Sequence, residues 1–516
     1  MKSVMIFALV LCVVTVTALP AARSGQPAFT HGVASGDVTS TAAILWTRVD
    51  RQASVKVEVW DNPFLAGPKT FQSTEPQADS ASDFTVKVEV TGLQPDTTYY
   101  YRFRHGDEEG ESVSPVGTFK TAPEPAALAN VKFTFTGDSD GTKVAGTPAH
   151  NNFEVLTAAR LENADFFVYM GDTIYSDSRF RAAPATTLGE YHAAYRLNRT
   201  YLNLTDLLAS TSTYAQQDDH EVFNNYAGQT VNPERYAAGI GAFLDYMPLR
   251  ESGLLDDSTC AGPPLFRVFH WGALADVIIL DERSCRSLDV AVACQGDLAP
   301  TLPTSIRVQF GLPPNPPAGC LAAINDPTRT LLGPAQKQAF KDALLNSTAK
   351  FKFVINGEPI QQFWVLPYDR WEGYAAERNE ILNFISNPDD NPATDDAIKN
   401  VVFLTTDAHA TIVNEVFKDR FTAPATVAQE VITGPIATFT YQQAITAAVG
   451  AARVPQVQAT LSLAGVDCRN LNQISYGVVQ VDSLLGTVVI TSKDQNGAPV
   501  VNQVAPAIPC AKVLGP

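Results

Sequence analysis

The chain has 516 residues, of which 45% are hydrophobic and 18% charged, and its formal net charge is −17. That balance describes a globular protein with core enough for two or three domains, and it excludes general disorder. The excess of carboxylates disfavours polyanionic partners, which sets aside nucleic acid and anionic membrane surfaces.

Lys2, an apolar run over residues 4–16 and small residues at Ala18 and Ala22 form the pattern of a secretory signal peptide over residues 1–22. The run is short for a membrane span, so no anchor is expected and the protein is expected to be secreted. Loss of Cys12 with this leader leaves Cys260, Cys285, Cys294, Cys320, Cys468 and Cys510. An even number in an oxidising compartment, with no C-x-x-C pair, reads as structural disulfides. Cys285–Cys294, Cys260–Cys320 and Cys468–Cys510 form one set among the pairings that sequence leaves open. Sequons at Asn198, Asn203 and Asn346 are candidate glycosylation sites.

Residues 27–121 alternate in short runs bounded by turn residues, and strands are expected over 42–48, 54–60, 85–90 and 99–104. The turn before Tyr99 lets its hydroxyl return to the backbone, the tyrosine-corner device. This segment looks like an all-β fibronectin III or immunoglobulin-like sandwich that supports the rest of the chain. Residues 122–130, rich in Ala and Pro, read as a linker. Beyond them strands at 133–136, 166–170, 277–280, 351–355 and 401–404 are interleaved with amphipathic stretches such as 151–161 and 334–345. An α/β (α+β) layered domain over 131–500 is therefore expected, closed by antiparallel strands at 477–481 and 487–492 and followed by a tail over 501–516. Residues 290–329, rich in Pro and Cys, read as a surface insertion pinned by disulfides.

Several of these strands end alike. Strand 133–136 runs into Gly137-Asp138-Ser139-Asp140, strand 166–170 into Gly171-Asp172 with Tyr175 close behind, and strand 401–404 into Asp407-Ala408-His409. Between them lies Asp218-Asp219-His220-Glu221-Val222-Phe223-Asn224-Asn225. Carboxylates and imidazoles at several strand ends converge on one rim of the sheet, and mutually repelling carboxylates share a rim only when cations neutralise them. A metal site is the expectation.

Taken in order, Asp138-Ser139-Asp140, Gly171-Asp172, Asp219-His220-Glu221 and Asp407-Ala408-His409 resemble the calcineurin-like metallophosphoesterase superfamily. Gly171-Asp172-Thr173-Ile174-Tyr175, the Asp218–Val222 run and Trp46-Thr47-Arg48 are similar to the PhoD-type alkaline phosphatases. The resemblance covers about residues 28–495. It implies a metallophosphoesterase fold and a secreted phosphomonoesterase or phosphodiesterase acting on small phosphoesters, with Fe3+ and Ca2+ in one cluster. Transferred residue by residue, it makes Asp138, Asp140 and Asp172 metal ligands, with Asp172 as the bridge and Tyr175 on the ferric ion. Asp219 and Asn225 fall on the calcium side, Asp407 and His409 are the C-terminal ligands, and His220 is the group near the leaving oxygen. Where such enzymes usually carry a Cys, this chain has Asp138, a harder ligand that leaves the identity of the trivalent ion open. Where related phosphatases place a His after a strand, this chain offers Asn356 and Glu358 as alternatives.

The implied reaction is in-line attack of a metal-activated hydroxide on phosphorus, with no protein nucleophile. Arg283, Arg286 and Arg370 are candidates to grip phosphate oxygens, since a guanidinium fork matches them, and they read equally as structural ion pairs. His192 and His270 fall outside the constellation and read as structural. A purple-acid-phosphatase-like enzyme and a non-catalytic secreted binding protein that keeps the fold are the alternative readings. Oligomeric state is left open.

Overall fold

The strand Phe166–Met170 is buried along its whole length, as a run of Phe-Phe-Val-Tyr-Met must be to lie between two apolar layers. The computed structural model that places it describes residues 27–106, 111–391 and 396–515, so the expected signal peptide lies outside the described residues. Phe166–Met170 is central to a nine-stranded sheet and pairs in parallel with Val131–Thr136 on one side and Ser212–Gln216 on the other. A seven-stranded sheet faces it, with Ala275–Ile279, Phe351–Asn356, Val401–Thr405 and Ala423–Ile432 parallel in that order.

The period-two alternation of strands assigns each side chain to a layer. Phe133, Phe135, Phe166 and Val168 of the first sheet meet Val277, Phe353, Ile355 and Leu404 of the second in one core. Phe133 stacks on Phe166 with centroids 4.6 Å apart and meets Phe353 edge-on at 5.2 Å, joining the sheets. The alternate residues Phe167 and Tyr169 turn outward to helices Glu154–Leu161, Leu188–Asn198, Leu202–Ser210 and Pro233–Tyr246. Ile278, Val354 and Phe403 do the same toward helices Gly333–Asn346 and Ala375–Ser386. The result is two sheets face to face between helical layers, with Val131–Thr136, Phe166–Met170, Ser212–Gln216, Phe351–Asn356 and Val401–Thr405 delivering their C-terminal ends to one rim.

Sequence divides the chain at 122–130, but the first sheet crosses that division. Phe29–Gly36 pairs in parallel with Ser212–Gln216 and antiparallel with Ala42–Val49, which in turn pairs with Thr85–Thr91. Gly36 permits the approach, since a Cβ there would lie 2.4 Å from Thr213 O and Pro248 O. Opposite these strands lies a five-stranded sheet that includes Lys56–Trp60 and Thr98–His105. Tyr99 is buried between them, and its hydroxyl accepts from the Gln94 N–H at 2.8 Å.

Asp83 clasps the two segments. It accepts from Arg48 of its own segment and from Arg196 and the Tyr246 hydroxyl of the helical layer, the last two at 2.5 Å. Burial works against its charge, but these donors outweigh burial and hold its carboxyl down at about 2. A folded-state value below the unfolded one stabilises above the unfolded value of about 4, and that stability is lost as pH falls through about 2. Asp83→Asn is expected to cost about 1 kcal/mol at neutral pH after solvent screening and to flatten the acid limb between about pH 4 and pH 2, read by urea unfolding at several pH values. An unchanged acid limb would rule out the clasp.

The disulfides join Cys260–Cys285, Cys294–Cys320 and Cys468–Cys510. Only Cys468–Cys510 matches the expected set. The Cys260 loop lies beside the segment after Ala275–Ile279, with the Ala261 N–H donating to Ser284 O at 2.9 Å, so Cys285 faces Cys260 and not Cys294. Cys294–Cys320 then closes the insertion onto itself, over short helices Thr304–Gln309 and Cys320–Ile324. Among the described residues no helix is long and apolar enough to cross a membrane.

Candidate metal centre

The chain leaves the sheet abruptly at each strand end on the rim. Asp138 (φ 65°), Asp172 (φ 46°), Asp407 (φ 59°) and His409 (φ 50°) all adopt the left-handed region that side-chain-bearing residues avoid. Strain of that kind, of order 1–2 kcal/mol per residue, persists where the surroundings impose it and function uses it. Gly137 and Gly171 let the loops touch: a Cβ on Gly137 would lie 2.3 Å from Met170 O, and one on Gly171 2.5 Å from Asp218 Cβ.

These turns bring acids and imidazoles from five strands together in three groups, each with ligand atoms within 4.8 Å of one another. Asp138, Asp172 and His409 form one, Asp172, Asp219 and His220 the second, and Asp218, Glu358 and Asp407 the third. Asp172 belongs to two of them, the position of a bridge. The Tyr175 hydroxyl lies 3.1 Å from His409 Nε2, and its ring stacks on His220 at 4.0 Å.

Oxygens of this cluster are buried without hydrogen-bond partners among the described residues: Asp138 Oδ1, Asp218 Oδ2, Asp219 Oδ1 and Glu358 Oε2. A buried charge without a partner is costly, and such oxygens are what a cation would use. Burial, and then the neighbouring carboxylates, push Asp138, Asp172 and Asp407 well above the usual carboxylate range. Burial also raises Glu358 against the pull of Arg283, and lifts Asp218 to about 6. Tyr175 is raised by burial and by Asp172, and burial lowers His409 to about 4. This donor set fits hard and borderline cations.

A shell of hydrogen bonds fixes the cluster. Glu221 accepts from the Thr173 N–H and Oγ1 at 2.5 Å and from the Asp218 N–H at 2.8 Å, tying two strand ends together. Asp172 Oδ1 accepts from the His220 N–H at 3.0 Å. His220 Nδ1 meets Asp177 Oδ1 at 2.5 Å, which leaves Nε2 toward Asp172 and Asp219 at 3.9 and 4.0 Å. Burial works against the imidazolium, but Asp219 and Asp177 outweigh it and raise His220 to about 9. Arg283, fully buried, donates to Asp218 at 2.5 Å, to Asp369 and to Glu358.

Several expected roles shift. Asp140 takes the Thr142 N–H and the Ser178 hydroxyl and lies 3.5 Å from His150, outside the three groups, so it orders its loop. Asn225 is exposed, and it is its backbone N–H that donates to Asp219, while its Oδ1 accepts from Asn224. Arg283 and Arg286 are buried against acids, Arg286 on Asp369 and the Tyr374 hydroxyl, and neither is free to grip a phosphate. Arg370 donates to the carbonyls of Val365 and Leu366. Asn198 is buried and donates to Ser139 O at 2.9 Å and Thr173 O at 2.8 Å, bracing two metal-site loops where a glycan was expected, whereas Asn346 is exposed. Asn203 is half-buried, and its amide both accepts from the Thr157 hydroxyl and donates to Asn152 O.

Sequence reading missed Asp218 as a cluster member, although it stands beside Asp219, and missed Asp177 and Glu221 as supports. Of the two candidates after Phe351–Asn356, Glu358 faces the cluster, while Asn356 donates to Glu358 O and accepts from the Trp371 indole.

Residues 144–483 match the PhoD-like phosphatase family and residues 15–123 its N-terminal domain. Over 428 residues, 74% of this chain, the protein is 30% identical to alkaline phosphatase D of Bacillus subtilis (strain 168), and the match spans 64% of that relative's length. Among solved structures it is similar to PhoD, with a TM-score of 0.72 at 25% identity over 96% of this chain and 90% of the other. It shares its fold with the purple acid phosphatase PPD1 of yellow lupin (Lupinus luteus), with a TM-score of 0.55 at 9% identity over 95% and 74% of the two chains. With its strand-end acids placed on a metallophosphoesterase-like pair of sheets, the chain belongs to the PhoD-like phosphatase family.

Proposed function

We propose that the protein is a secreted, metal-dependent phosphoesterase, and the observation that carries this reading is the set of partnerless buried carboxylate oxygens at the strand ends. Asp138, Asp172, Tyr175 and His409 would hold a trivalent ion such as Fe3+, and the all-oxygen group of Asp218, Glu358 and Asp407 suits Ca2+. Asp172 also groups with Asp219 and His220, which would add donors beside the first ion. When bound, such cations supply an activated water and neutralise charge on the phosphoryl oxygens.

The chain's own part is positioning and proton supply. Asp177 fixes the His220 tautomer through Nδ1, and the Tyr175 ring holds the imidazole plane. His220 Nε2–H is thereby kept on the cluster side, where it can be given to the leaving oxygen. The chain offers no nucleophile elbow, and none is required. The leader over residues 1–22 supports secretion, and a fibronectin III-like sandwich before residue 122, three of whose strands continue the first sheet, would serve as a rigid support.

Hydrolysis of p-nitrophenyl phosphate and of bis(p-nitrophenyl) phosphate, with and without a chelator, tests the reading. Activity toward one or both is expected, falling at least about 100-fold with chelator and returning with added calcium. Hydrolysis indifferent to chelator, or none with any cation, would overturn it.

A further inference from the structure

Beside Asp407 the rim opens into a cleft of about 210 Å³. Its lining combines the charged side chains of Asp407, Asp369 and Arg370 with the apolar ones of Val365, Ile445 and Val449. Ile445 and Val449 belong to helix Tyr441–Val449, which together with Val454–Leu463 is inserted between strands Ala423–Ile432 and Val466–Asn470 of the second sheet. The insertion is tied to the metal rim, because the Tyr441 N–H donates to His409 O at 2.9 Å. Its first turn is fixed by a capping box between Thr440 and Gln443. Ile445 packs with Val365 and Val457 in a small cluster of its own. A narrower cavity of about 50 Å³ shares Val365 and Val449 with the cleft, so the apolar surface continues beyond it.

A cleft that joins charged groups at the metal rim to an apolar wall is matched by a ligand with both characters. Inorganic phosphate would meet only the charged groups and leave the apolar wall wet. We infer that the cleft is the alcohol-side subsite of the enzyme, selecting phosphoesters whose alcohol is a hydrocarbon, alkyl or aryl. The phosphoryl group then lies at Asp407 and the hydrocarbon against Ile445 and Val449. This inference rests on the phosphoesterase reading for its reaction, and the subsite itself is tested by binding.

The probes are n-alkyl phosphates from methyl to hexyl, followed by hydrolysis, and the matching n-alkylphosphonates, which are not hydrolysed, followed by calorimetry on the metal-loaded protein. Both kcat/KM and phosphonate affinity are expected to rise with chain length, by up to about fourfold per methylene, the factor for a fully buried CH2. Ile445→Asp should flatten both slopes. Ala448→Trp, at an exposed position on the cleft wall, should flatten them by filling the space without altering the core. Equal hydrolysis and equal binding across the series, while phosphoesters are still cleaved, would overturn the subsite and leave the phosphoesterase reading standing. A phosphonate slope without hydrolysis of any ester would support the subsite and defeat the phosphoesterase reading.

Discussion

Asp172→Asn is expected to lower kcat/KM for phosphoesters by at least about 10³-fold, some 4 kcal/mol of transition-state stabilisation, while making the metal-free protein more stable. The amide oxygen can still accept the His220 N–H, so the substitution removes charge and leaves the scaffold. In the metal-free chain that charge is a liability, because Asp172 is buried among Asp219, Asp218 and Asp138. Its loss should raise metal-free stability by about 1–2 kcal/mol, seen as a higher melting temperature in chelator. The metal-loaded forms should rank in the opposite order, since cation binding stabilises only the chain that can bind. A variant that is destabilised in chelator and still active would show that Asp172 is a structural acid and not a bridge.

Arg283→Met has the second large expected effect, on folding. The guanidinium is fully buried and donates to Asp218, Glu358 and Asp369, with Asp219 at 3.7 Å. A hydrophobic side chain of similar length fills the space but leaves these acids without their fixed cation, a change worth about 3–5 kcal/mol when one partner of a buried ion pair is removed. Urea unfolding in chelator is expected to show that loss, partly recovered when cations are added. An arginine that gripped substrate instead would raise KM with the unfolding midpoint unchanged.

These two residues also mark what sequence could carry. Asp172 was legible because its motif is local: an apolar strand, a Gly that turns, an acid, and a Tyr three residues on. The same locality made strands such as Phe166–Met170 and Val401–Thr405 readable, since buried runs bounded by turns are written in a few consecutive residues. Arg283 stayed open between a phosphate grip and an ion pair because its partners lie 65, 75 and 86 residues away, and no pattern near residue 283 encodes them. Cys285 failed for the same reason: its nearest cysteine in sequence is not its neighbour in the fold.

Asn198 shows the converse error, a local motif overridden by tertiary burial. Helices Leu188–Asn198 and Ala375–Ser386 were missed because their buried positions include Tyr, His, Glu and Arg, which blur an apolar stripe. The joining of two segments into one sheet depends on parallel pairing between Phe29–Gly36 and Ser212–Gln216, again a distant contact.

The central claim is that the strand-end acids are held together by cations. Elemental analysis of the protein, purified without added metal and without chelator, tests it most directly. More than one equivalent of metal per chain is expected, including a trivalent-capable ion and calcium, with a clear loss in Asp172→Asn. A wild-type chain that carries no metal, takes up neither iron nor calcium on dialysis and gains no activity from them would contradict the account.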